Sequence, residues 1–491
     1  MRLLPQTSMH HSLPRRGLPA GIVLFLALTV ACEGQNGTQA QDKPDALGPA
    51  QVQGDTETSA TVRAEMPLIQ GDSGWPRLLG KDFDGVGDTG GLEFDWSSRP
   101  EVAWQLQVGE GYGLGSVVGD RYYQFDAIAS SRGGEERLRA IDLESGDVIW
   151  SQVRPMRYRD MYGYESGPRG TPTVAGDRIV TFGVAGDLCC RDRSDGELIW
   201  SVDTNAVYGV VQNFFGVGSS PLILDGKVIV AVGGSPSEDQ RLPPGRLDRV
   251  APDGSALVAF DLQNGKELWR CGDELASYSS PRTMQIGAET AVLYFARDSL
   301  IAVDPRHGKL LWSFAHGAEL LESVNAAIPV VSGDQIFLSE CYEIGSVLLS
   351  ATREKASVVW QDDVNNRRKQ VMRAHWSTPL LVDGYLYGCS GRNNPDSDFR
   401  CIEFATGKLQ WNDGRRIRSS CALAGEHLVV LEERGEMQIV RPDPAELDVV
   451  AEYDLSDLIR YPCWAAPIIV GNRMLLRGDS KVVCLALTTK S

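Results

Sequence analysis

Residues 138–150, LRAIDLESGDVIW, decide the fold of this chain. An alternating run ends at Asp142, whose carboxylate can accept hydrogen bonds from the backbone N–H groups of a tight turn. Gly146 supplies the positive φ that such a turn needs, and a second short strand ends in Trp150. The stretch therefore predicts a β-hairpin whose turn is built on an Asp and a Gly.

The same frame, with an acid eight residues before a Trp and a Gly four residues before it, recurs along the chain. A degenerate copy that lacks the Asp and the Gly ends at Trp360. The repeat tryptophans are Trp104, Trp150, Trp200, Trp269, Trp312, Trp360 and Trp411. Their average spacing of about 50 residues is enough for four short strands with turns, which is the size of a propeller blade. We expect each of these rings to pack between two blades.

Strand-start segments, several of them Ser-Ser-Pro, give the number of blades. Eight such segments lie near Gly115, Pro172, Pro221, Pro281, Pro329, Pro379, Cys421 and Pro467. The last unit stops before its Trp strand, and residues 101–104 can supply that strand from the front of the chain. The prediction is an all-β, eight-bladed β-propeller of four-stranded antiparallel blades, closed by the N-terminal strand around Trp104.

This frame resembles the pyrroloquinoline-quinone-like β-propeller repeat over about residues 100–487. Trp75 to Gly91 also resembles a lead-in of secreted bacterial members. The family includes dehydrogenases that bind the quinone and Ca²⁺ near the axis, and proteins that share only the fold. The layout is similar to the lipid-anchored propeller subunit of the outer-membrane β-barrel assembly machinery. The resemblance is specific for the fold and poorly specific for function.

The N-terminus has the pattern of a secretory signal. Arg15 and Arg16 precede a short apolar core at residues 21–30, which is too short to span a bilayer. The core ends at a sequence that resembles a lipobox, with Cys32 as the residue to be lipidated; a plain secretory signal or an uncleaved anchor are the alternatives. We expect an exported, membrane-anchored lipoprotein on the periplasmic or outer-membrane face. The expected organisation is a signal peptide at 1–31, a flexible tether at 32–70, a lead-in at 71–100 and the propeller at 101–488.

The composition and the sequence motifs argue against several classes of function. The 491 residues carry 48 Lys and Arg against 65 Asp and Glu, a net charge of −17, which argues against nucleic acid as a partner. No HExxH, CxxC or Gly-x-Ser-x-Gly motif occurs, so we predict neither a metal site nor a catalytic residue. Ten cysteines are too few for a disulfide scaffold in a chain of this length.

The connections before each strand-start Pro gather on one face around the axis, where propellers usually bind ligands. The polar and aromatic residues of these connections are the predicted binding residues: Tyr112, Arg169, Asn213, Tyr278, Asn325, His375, Trp376, Arg418 and Trp464. Three connections are also basic, at residues 367–373, 415–418 and 460. They indicate an anionic ligand or an acidic partner segment, or else a solvated face paired with Asp362, Asp363 and Asp413.

Two pairs of cysteines are candidates for disulfide bonds. Cys189 and Cys190 are either strand thiols, with side chains on opposite faces, or the vicinal disulfide that the resemblance to some quinoprotein dehydrogenases implies. Cys389 and Cys401 could form a disulfide across a hairpin. Residues 233–254 form a polar insert rich in Pro and Gly, which we expect to be a surface loop.

We therefore expect a non-catalytic, membrane-tethered and monomeric propeller without cofactor. It binds a protein partner in the cell envelope, or a small, anionic ligand, on its loop face. One alternative is a dehydrogenase of alcohols or sugars that depends on pyrroloquinoline quinone and calcium, with acids such as Glu165 and Glu322 in the connections. Another is a carbohydrate-binding or solute-sensing module that uses Trp376 and Trp464.

Overall fold

The structure is a computed structural model that describes residues 74–130, 133–414 and 416–490. The predicted signal peptide, the predicted tether and Cys32 lie outside these residues. No helix in the described ranges is long and apolar enough to cross a membrane.

Two strands precede the first complete blade, β1 (Gly74–Trp75) and β2 (Glu101–Gln107). The strands of blades 1 to 4 are β3 (Ser116–Val118), β4 (Arg121–Ser130), β5 (Gly133–Asp142), β6 (Val148–Pro155), β7 (Thr173–Ala175), β8 (Arg178–Phe182), β9 (Asp187–Asp192), β10 (Leu198–Asp203), β11 (Leu222–Leu224), β12 (Lys227–Ala231), β13 (Leu257–Asp261), β14 (Glu267–Cys271), β15 (Arg282–Ile286), β16 (Glu289–Phe295), β17 (Ser299–Asp304) and β18 (Lys309–Ala315).

The strands of blades 5 to 8 are β19 (Val330–Ser332), β20 (Gln335–Glu340), β21 (Gly345–Ala351), β22 (Ala356–Gln361), β23 (Leu380–Val382), β24 (Tyr385–Ser390), β25 (Asp398–Glu403), β26 (Leu409–Asp413), β27 (Ser419–Ala424), β28 (His427–Glu432), β29 (Glu436–Arg441), β30 (Asp448–Asp454), β31 (Ile468–Val470), β32 (Arg473–Arg477) and β33 (Lys481–Ala486). In the part of the chain that the structure describes, one α-helix, α1 (Thr204–Tyr208), and three 3₁₀ turns (Asp239–Arg241, Leu247–Arg249 and Arg367–Lys369) lie between strands.

Each blade is an antiparallel sheet whose strands follow in chain order, except that β2 from the front of the chain completes blade 8. First strands of neighbouring blades contact one another around the axis, as β3 does β7 and β23 does β27. In blade 8, β2 pairs with β33 and places Trp104 opposite Cys484. The predicted eight-bladed propeller and its closure by the N-terminal strand are therefore confirmed. Blade 1 has an addition that the repeat did not predict, because β1 pairs with β3 as a fifth strand.

The repeat tryptophans join seven of the eight blades to the next, because the indole N–H of each donates to a backbone carbonyl oxygen in a turn of the following blade. The pairs are Trp104 with Leu143 (2.8 Å), Trp150 with Arg193 (3.3 Å), Trp200 with Leu262 (2.9 Å), Trp269 with Pro305 (3.0 Å), Trp312 with Thr352 (2.9 Å), Trp360 with Phe404 (3.0 Å) and Trp411 with Asp443 (2.8 Å). The predicted packing of the rings between blades is confirmed.

The repeat glycine lies under the ring of the preceding blade. Gly265 has a φ of 71°, and a Cβ added there would lie 2.6 Å from the Trp200 ring. The recurring Gly therefore serves two ends, since it adopts the left-handed turn and leaves room for the indole. The degenerate copy is the exception to this rule. Its turn lacks the Gly and still supplies the Thr352 carbonyl to Trp312.

A belt of hydroxyl groups joins the blades around the axis. Thr173 Oγ1 donates to the Pro221 carbonyl oxygen at 2.6 Å, and Ser280 Oγ accepts from the Ser220 N–H at 2.8 Å. Both bonds run from one strand-start segment to the next. Hydroxyl residues beside the strand-start prolines, such as Thr173 after Pro172 and Ser280 before Pro281, thus bond backbone groups of the neighbouring segment.

The lead-in fills the space inside the ring of inner strands. Its carbonyl oxygens accept hydrogen bonds from four blades in turn: Pro76 from Val174, Phe83 from Arg282, Gly85 from Leu423 and Asp88 from Gly471. Gly87 lies so close to the inner strand of blade 8 that a Cβ would be 2.8 Å from the Cβ of Ile469. The glycines of this segment permit its close approach to the strands.

The insert at residues 233–254 joins β12 to β13 and packs on the connection between blades 2 and 3. The Gly245 N–H donates to the Gln212 carbonyl oxygen at 2.9 Å, and Ser235 Oγ donates to the Gly209 carbonyl oxygen at 2.6 Å. The prediction of a surface loop is correct, and the loop is ordered by these contacts.

Candidate functional site

Strand direction alternates within a blade, so the connections between blades and the loops joining second to third strands share one end of the propeller. We call this end the loop face. A cavity of about 370 Å³ opens there, within the range of small-ligand pockets. Trp75, Leu78 and Leu79 of the lead-in also line it. The segment that fills the ring therefore contributes to this site.

Seven of the nine predicted binding residues line this cavity: Tyr112, Arg169, Tyr278, His375, Trp376, Arg418 and Trp464. The other two do not. Asn213 donates to the Ala276 carbonyl oxygen at 3.2 Å. Asn325 is 3% exposed and donates to the carbonyl oxygens of Ala296 and Arg297, both at 2.9 Å. Both amides satisfy backbone carbonyl groups of loops, which explains why neither faces the cavity.

Aromatic rings form one wall of the cavity. The Trp464 ring lies 4.7 Å from Tyr112 and 5.4 Å from Trp376, measured between ring centroids. On its other side the wall continues to Tyr164 at 6.1 Å and then to Phe215, which lies 5.6 Å from Tyr164. These tilted contacts between rings build a rigid apolar surface from several blades.

Arg418 is fixed over this wall. Its guanidinium carbon lies 4.6 Å from the Trp376 ring centroid and 5.2 Å from that of Trp464. Glu433 orients the group, because its Oε2 accepts from Arg418 Nε at 2.9 Å and from Nη2 at 2.6 Å. The same oxygen accepts from Trp464 Nε1 at 2.9 Å. One carboxylate thus positions both the cation and one of the indoles.

Arg169 is held in a similar way on the opposite side of Tyr112. Its Nη2 pairs with Asp160 Oδ2 at 2.9 Å, and its guanidinium carbon lies 5.5 Å from the Tyr112 ring centroid. Burial, as the largest cause, raises the pKa of the Tyr112 phenol to about 12. The phenol is therefore a neutral hydrogen-bonding group at neutral pH.

His375 lies deeper, against Tyr342. Its Nε2 is 3.1 Å from the Tyr342 hydroxyl oxygen, while Nδ1 is buried with no hydrogen-bond partner among the described residues. Burial lowers the pKa of His375 to about 3, and the charges of Arg418 and Arg392 act in the same direction. The imidazole is thus neutral at physiological pH.

Arg392 is the third arginine of the cavity. Its guanidinium carbon lies 4.9 Å from the Tyr342 ring centroid, and no carboxylate in the described ranges pairs with it. Among the described residues that line the cavity there is no Asp or Glu. The cavity therefore combines apolar walls with an excess of hydrogen-bond donors, a combination suited to an anionic group on an apolar body.

Sequence reasoning missed four lining residues of note: Tyr164, Phe215, Tyr342 and Arg392. Tyr342 and Arg392 lie in loops that join second to third strands, which the search of the connections alone did not include. The alternation of strand direction places these loops on the same face as the connections. That rule was the signal that could have found them.

The basic connections are largely paired. Arg367 and Arg373 both form ion pairs with Asp396, at 2.8 Å, and Arg416 pairs with Asp413 at 3.1 Å. Of the predicted acidic partners, Asp413 alone takes that role. Asp362 and Asp363 instead accept from backbone N–H groups, and Arg415 lies outside the described residues.

Neither cysteine pair is bonded. All nine described cysteines are free and buried. Cys189 and Cys190 are successive residues of β9, as the interpretation as strand thiols requires. The possible disulfide between Cys389 and Cys401 is not formed, because the register places Cys389 opposite Phe399 and Cys401 opposite Tyr387.

The cavity does not fit the calcium ion of the quinoprotein dehydrogenases. Ca²⁺ is bound by six to eight oxygen ligands, several of them carboxylates. No cluster of three or more metal-binding side chains occurs within the described part of the chain. Of the two acids named as candidates, Glu165 accepts from the Gly111 N–H at 2.5 Å and Glu322 is exposed.

Comparisons with known proteins agree with this fold. Residues 134–412, more than half of the chain, match the family model of the outer membrane protein assembly factor BamB. The chain belongs to this family. BamB of Shewanella oneidensis is 19% identical over 402 residues, which cover 78% of this chain and 87% of that protein.

Among solved structures, BamB from Moraxella catarrhalis aligns with a TM-score of 0.51 at 14% identity, over 80% of this chain and 98% of that one. The quinohemoprotein alcohol dehydrogenase from Comamonas testosteroni aligns with a TM-score of 0.54 at 12% identity, over 85% of this chain and 81% of that one. At these identities both similarities concern the fold alone. The family match, and not the structural alignments, therefore assigns this chain to the BamB family rather than to the quinohemoprotein dehydrogenases.

Proposed function

We propose that this protein is a non-catalytic scaffold of the cell envelope that holds a polypeptide partner on its loop face. Membership of the BamB family supports a role in protein interaction. The observation that carries the proposal is the cavity on that face, with aromatic walls, three arginines and no acid among its described lining residues. Aromatic and arginine side chains are enriched where proteins bind one another.

The surface around the cavity has the same character. Tyr164 is 47% exposed, and Tyr162 and Tyr461 are 53% and 50% exposed. Tyr461 lies 5.9 Å from the Trp464 ring, and Tyr162 lies 5.7 Å from the Phe215 ring. Large exposed aromatic groups that continue into a pocket are typical of an interaction surface.

The proposed location rests on the N-terminal sequence. We expect cleavage before Cys32 and lipidation of that residue, with residues 32–70 as a tether that lets the propeller stand off the membrane. Mass spectrometry of the mature N-terminus tests this part. A diacylated or triacylated Cys32 is the expected result, and an unmodified Cys32 in the native protein would contradict it.

A photo-cross-linking experiment in intact cells tests the scaffold. The amino acid p-benzoyl-phenylalanine is introduced at Tyr164 on the loop face or, as the control, at Val153 on β6, which is similarly exposed at 49%. We expect a discrete protein adduct from position 164 and none from position 153. No adduct from position 164, or the same adducts from both positions, would refute the proposed surface.

The dehydrogenase alternative makes a different prediction. Saturable, Ca²⁺-dependent binding of pyrroloquinoline quinone with turnover of an alcohol would replace the scaffold by an enzyme. We expect neither, because the cavity provides cations for an acid but no described carboxylates for the calcium ion. Calorimetry and a dye-linked assay on the full-length protein measure both.

A further inference from the structure

We propose that the cavity receives an aromatic side chain of a partner polypeptide that is flanked by acidic residues. This inference rests on the proposed function and adds the chemistry of the segment that is bound. The aromatic ring would enter between the indoles and phenols of the wall, and the flanking carboxylates would meet Arg392 and Arg418 at its edge.

The shape and polarity of the cavity support an aromatic anchor. Its volume of about 370 Å³ exceeds that of one large side chain, and its walls are built from Tyr112, Trp376 and Trp464. Rings that pack against such walls gain a favourable ring–ring interaction in addition to the burial of their surface. An aliphatic anchor would gain only from burial.

Free donors at the cavity support acidic flanks. Glu433 occupies Nε and Nη2 of Arg418, and no acceptor in the described ranges takes Nη1. Arg392 is an exposed residue, its guanidinium lies over the Tyr342 ring, and it has no described carboxylate partner. In a chain with a net charge of −17, one arginine without a described carboxylate partner and a free Nη1 on a second, beside a cavity whose described lining holds no acid, indicate a local site for anionic groups.

The length of the aromatic surface favours a polypeptide over a small molecule. The row of rings runs from Tyr164 over Phe215, which both line the cavity, to Tyr162, which lies outside it, with successive centroid distances of 5.6 and 5.7 Å. Tyr162 and Tyr164 are both half-exposed. A ligand that fills only the cavity would leave Tyr162 uncovered, whereas an extended chain can contact both the cavity and this ring.

The test is a binding series with three nonapeptides, (Glu-Phe-Ser)₃, (Lys-Phe-Ser)₃ and (Glu-Ala-Ser)₃, on the full-length protein in detergent micelles. Calorimetry and tryptophan fluorescence report binding, since Trp376 and Trp464 lie in the wall. We expect the acidic aromatic peptide to bind at least tenfold more tightly than either of the others. Equal or tighter binding of the lysine peptide or of the alanine peptide would overturn the proposal.

Two variants locate the site. Arg392→Gln removes the unpaired cation, and Tyr164→Ala removes a half-exposed ring that lines the cavity. Each is expected to weaken binding of the acidic aromatic peptide about tenfold, which corresponds to about 1.4 kcal/mol. Arg441→Gln is the control, because it removes the same charge from an exposed position on β29 that does not line the cavity. Unchanged binding in Arg392→Gln, or an equal loss in Arg441→Gln, would overturn the assignment.

Two further experiments distinguish a failure of this inference from a failure of the proposed scaffold. Indole-3-acetate carries a ring and a carboxylate without a peptide chain, and binding as tight as that of the nonapeptide would overturn the choice of a polypeptide. Cross-linking from position 164 is then repeated in the Arg392→Gln background. An undiminished adduct there would refute this inference and leave the scaffold intact, whereas no adduct in the wild-type background refutes the scaffold itself.

Discussion

The Gly265→Ala substitution measures how much the contact between a repeat glycine and a repeat tryptophan stabilises the ring. Gly265 has a φ of 71°, so an Ala there is strained by about 1–2 kcal/mol in the left-handed region. Its Cβ would also lie 2.6 Å from the ring of Trp200. Moving that ring costs about 1–3 kcal/mol as overpacking. The expected loss in the free energy of unfolding is about 2–5 kcal/mol.

Gly226 in the same blade is a matched control. Its φ is also 71°, but a Cβ added there has no heavy atom within 4 Å. Gly226→Ala therefore has the backbone strain without the clash, and we expect a loss of about 1–2 kcal/mol. The difference between the two variants isolates the contact with the indole from the strain of the turn.

Equilibrium unfolding in guanidinium chloride, followed by circular dichroism, gives both losses. A third variant, Trp200→Leu, completes the cycle, because the clash at Gly265 disappears with the indole. In that background Gly265→Ala should cost no more than Gly226→Ala. If Gly265→Ala costs no more than Gly226→Ala in the wild-type background, the glycine serves the turn alone and the reasoning about the blade contact is wrong.

Three further predictions concern closure, pH and thiols. Trp104→Ala should lower the free energy of unfolding by about 3–5 kcal/mol, as much as Trp411→Ala in an interior blade, and a loss below about 1 kcal/mol would contradict closure through β2. Burial raises the pKa of Glu136 to about 8, above its unfolded value, so the wild type loses stability as pH rises from 5 to 9. Glu136→Gln should remove that loss in urea unfolding, and a parallel pH profile would refute the assignment. Native protein should expose no more than one thiol, Cys32, to a thiol reagent, and denaturant should expose the nine buried ones; fewer would reveal a disulfide.

The fold could be predicted from the sequence because the repeat records direct contacts. Five of the seven repeat tryptophans touch the Gly of the next copy, as Trp200 touches Gly265, so one pattern shows both the turn and its packing partner. Closure followed from the Trp strand that the last unit lacks. The path of the lead-in could not be predicted, because Gly85 and Gly87 contact Leu380 and Ile469, which no shared motif connects to them.

The position of the cavity was predicted from the sequence, but only some of the residues that line it were. Topology brings the connections together whatever their sequence, which is why most of the chosen residues line it. The role of each side chain depends on partners from other loops. Asn325 is a polar residue in a connection, as a binding residue would be. Its amide nevertheless donates to two carbonyl oxygens of the neighbouring loop, so it does not face the cavity.

Arg418 shows how the chemistry of the site arises from several blades at once. In the sequence it belongs to a basic run, and Asp413 is the nearest acid that could neutralise it. In the structure Asp413 pairs with Arg416, while Glu433 from the next loop orients Arg418. The rings of Trp376 and Trp464, from two further connections, then fix the plane of the guanidinium. The repeat that builds the propeller contains none of these residues, so blade geometry and site chemistry can change independently, and the loop face is where proteins with this fold acquire different functions.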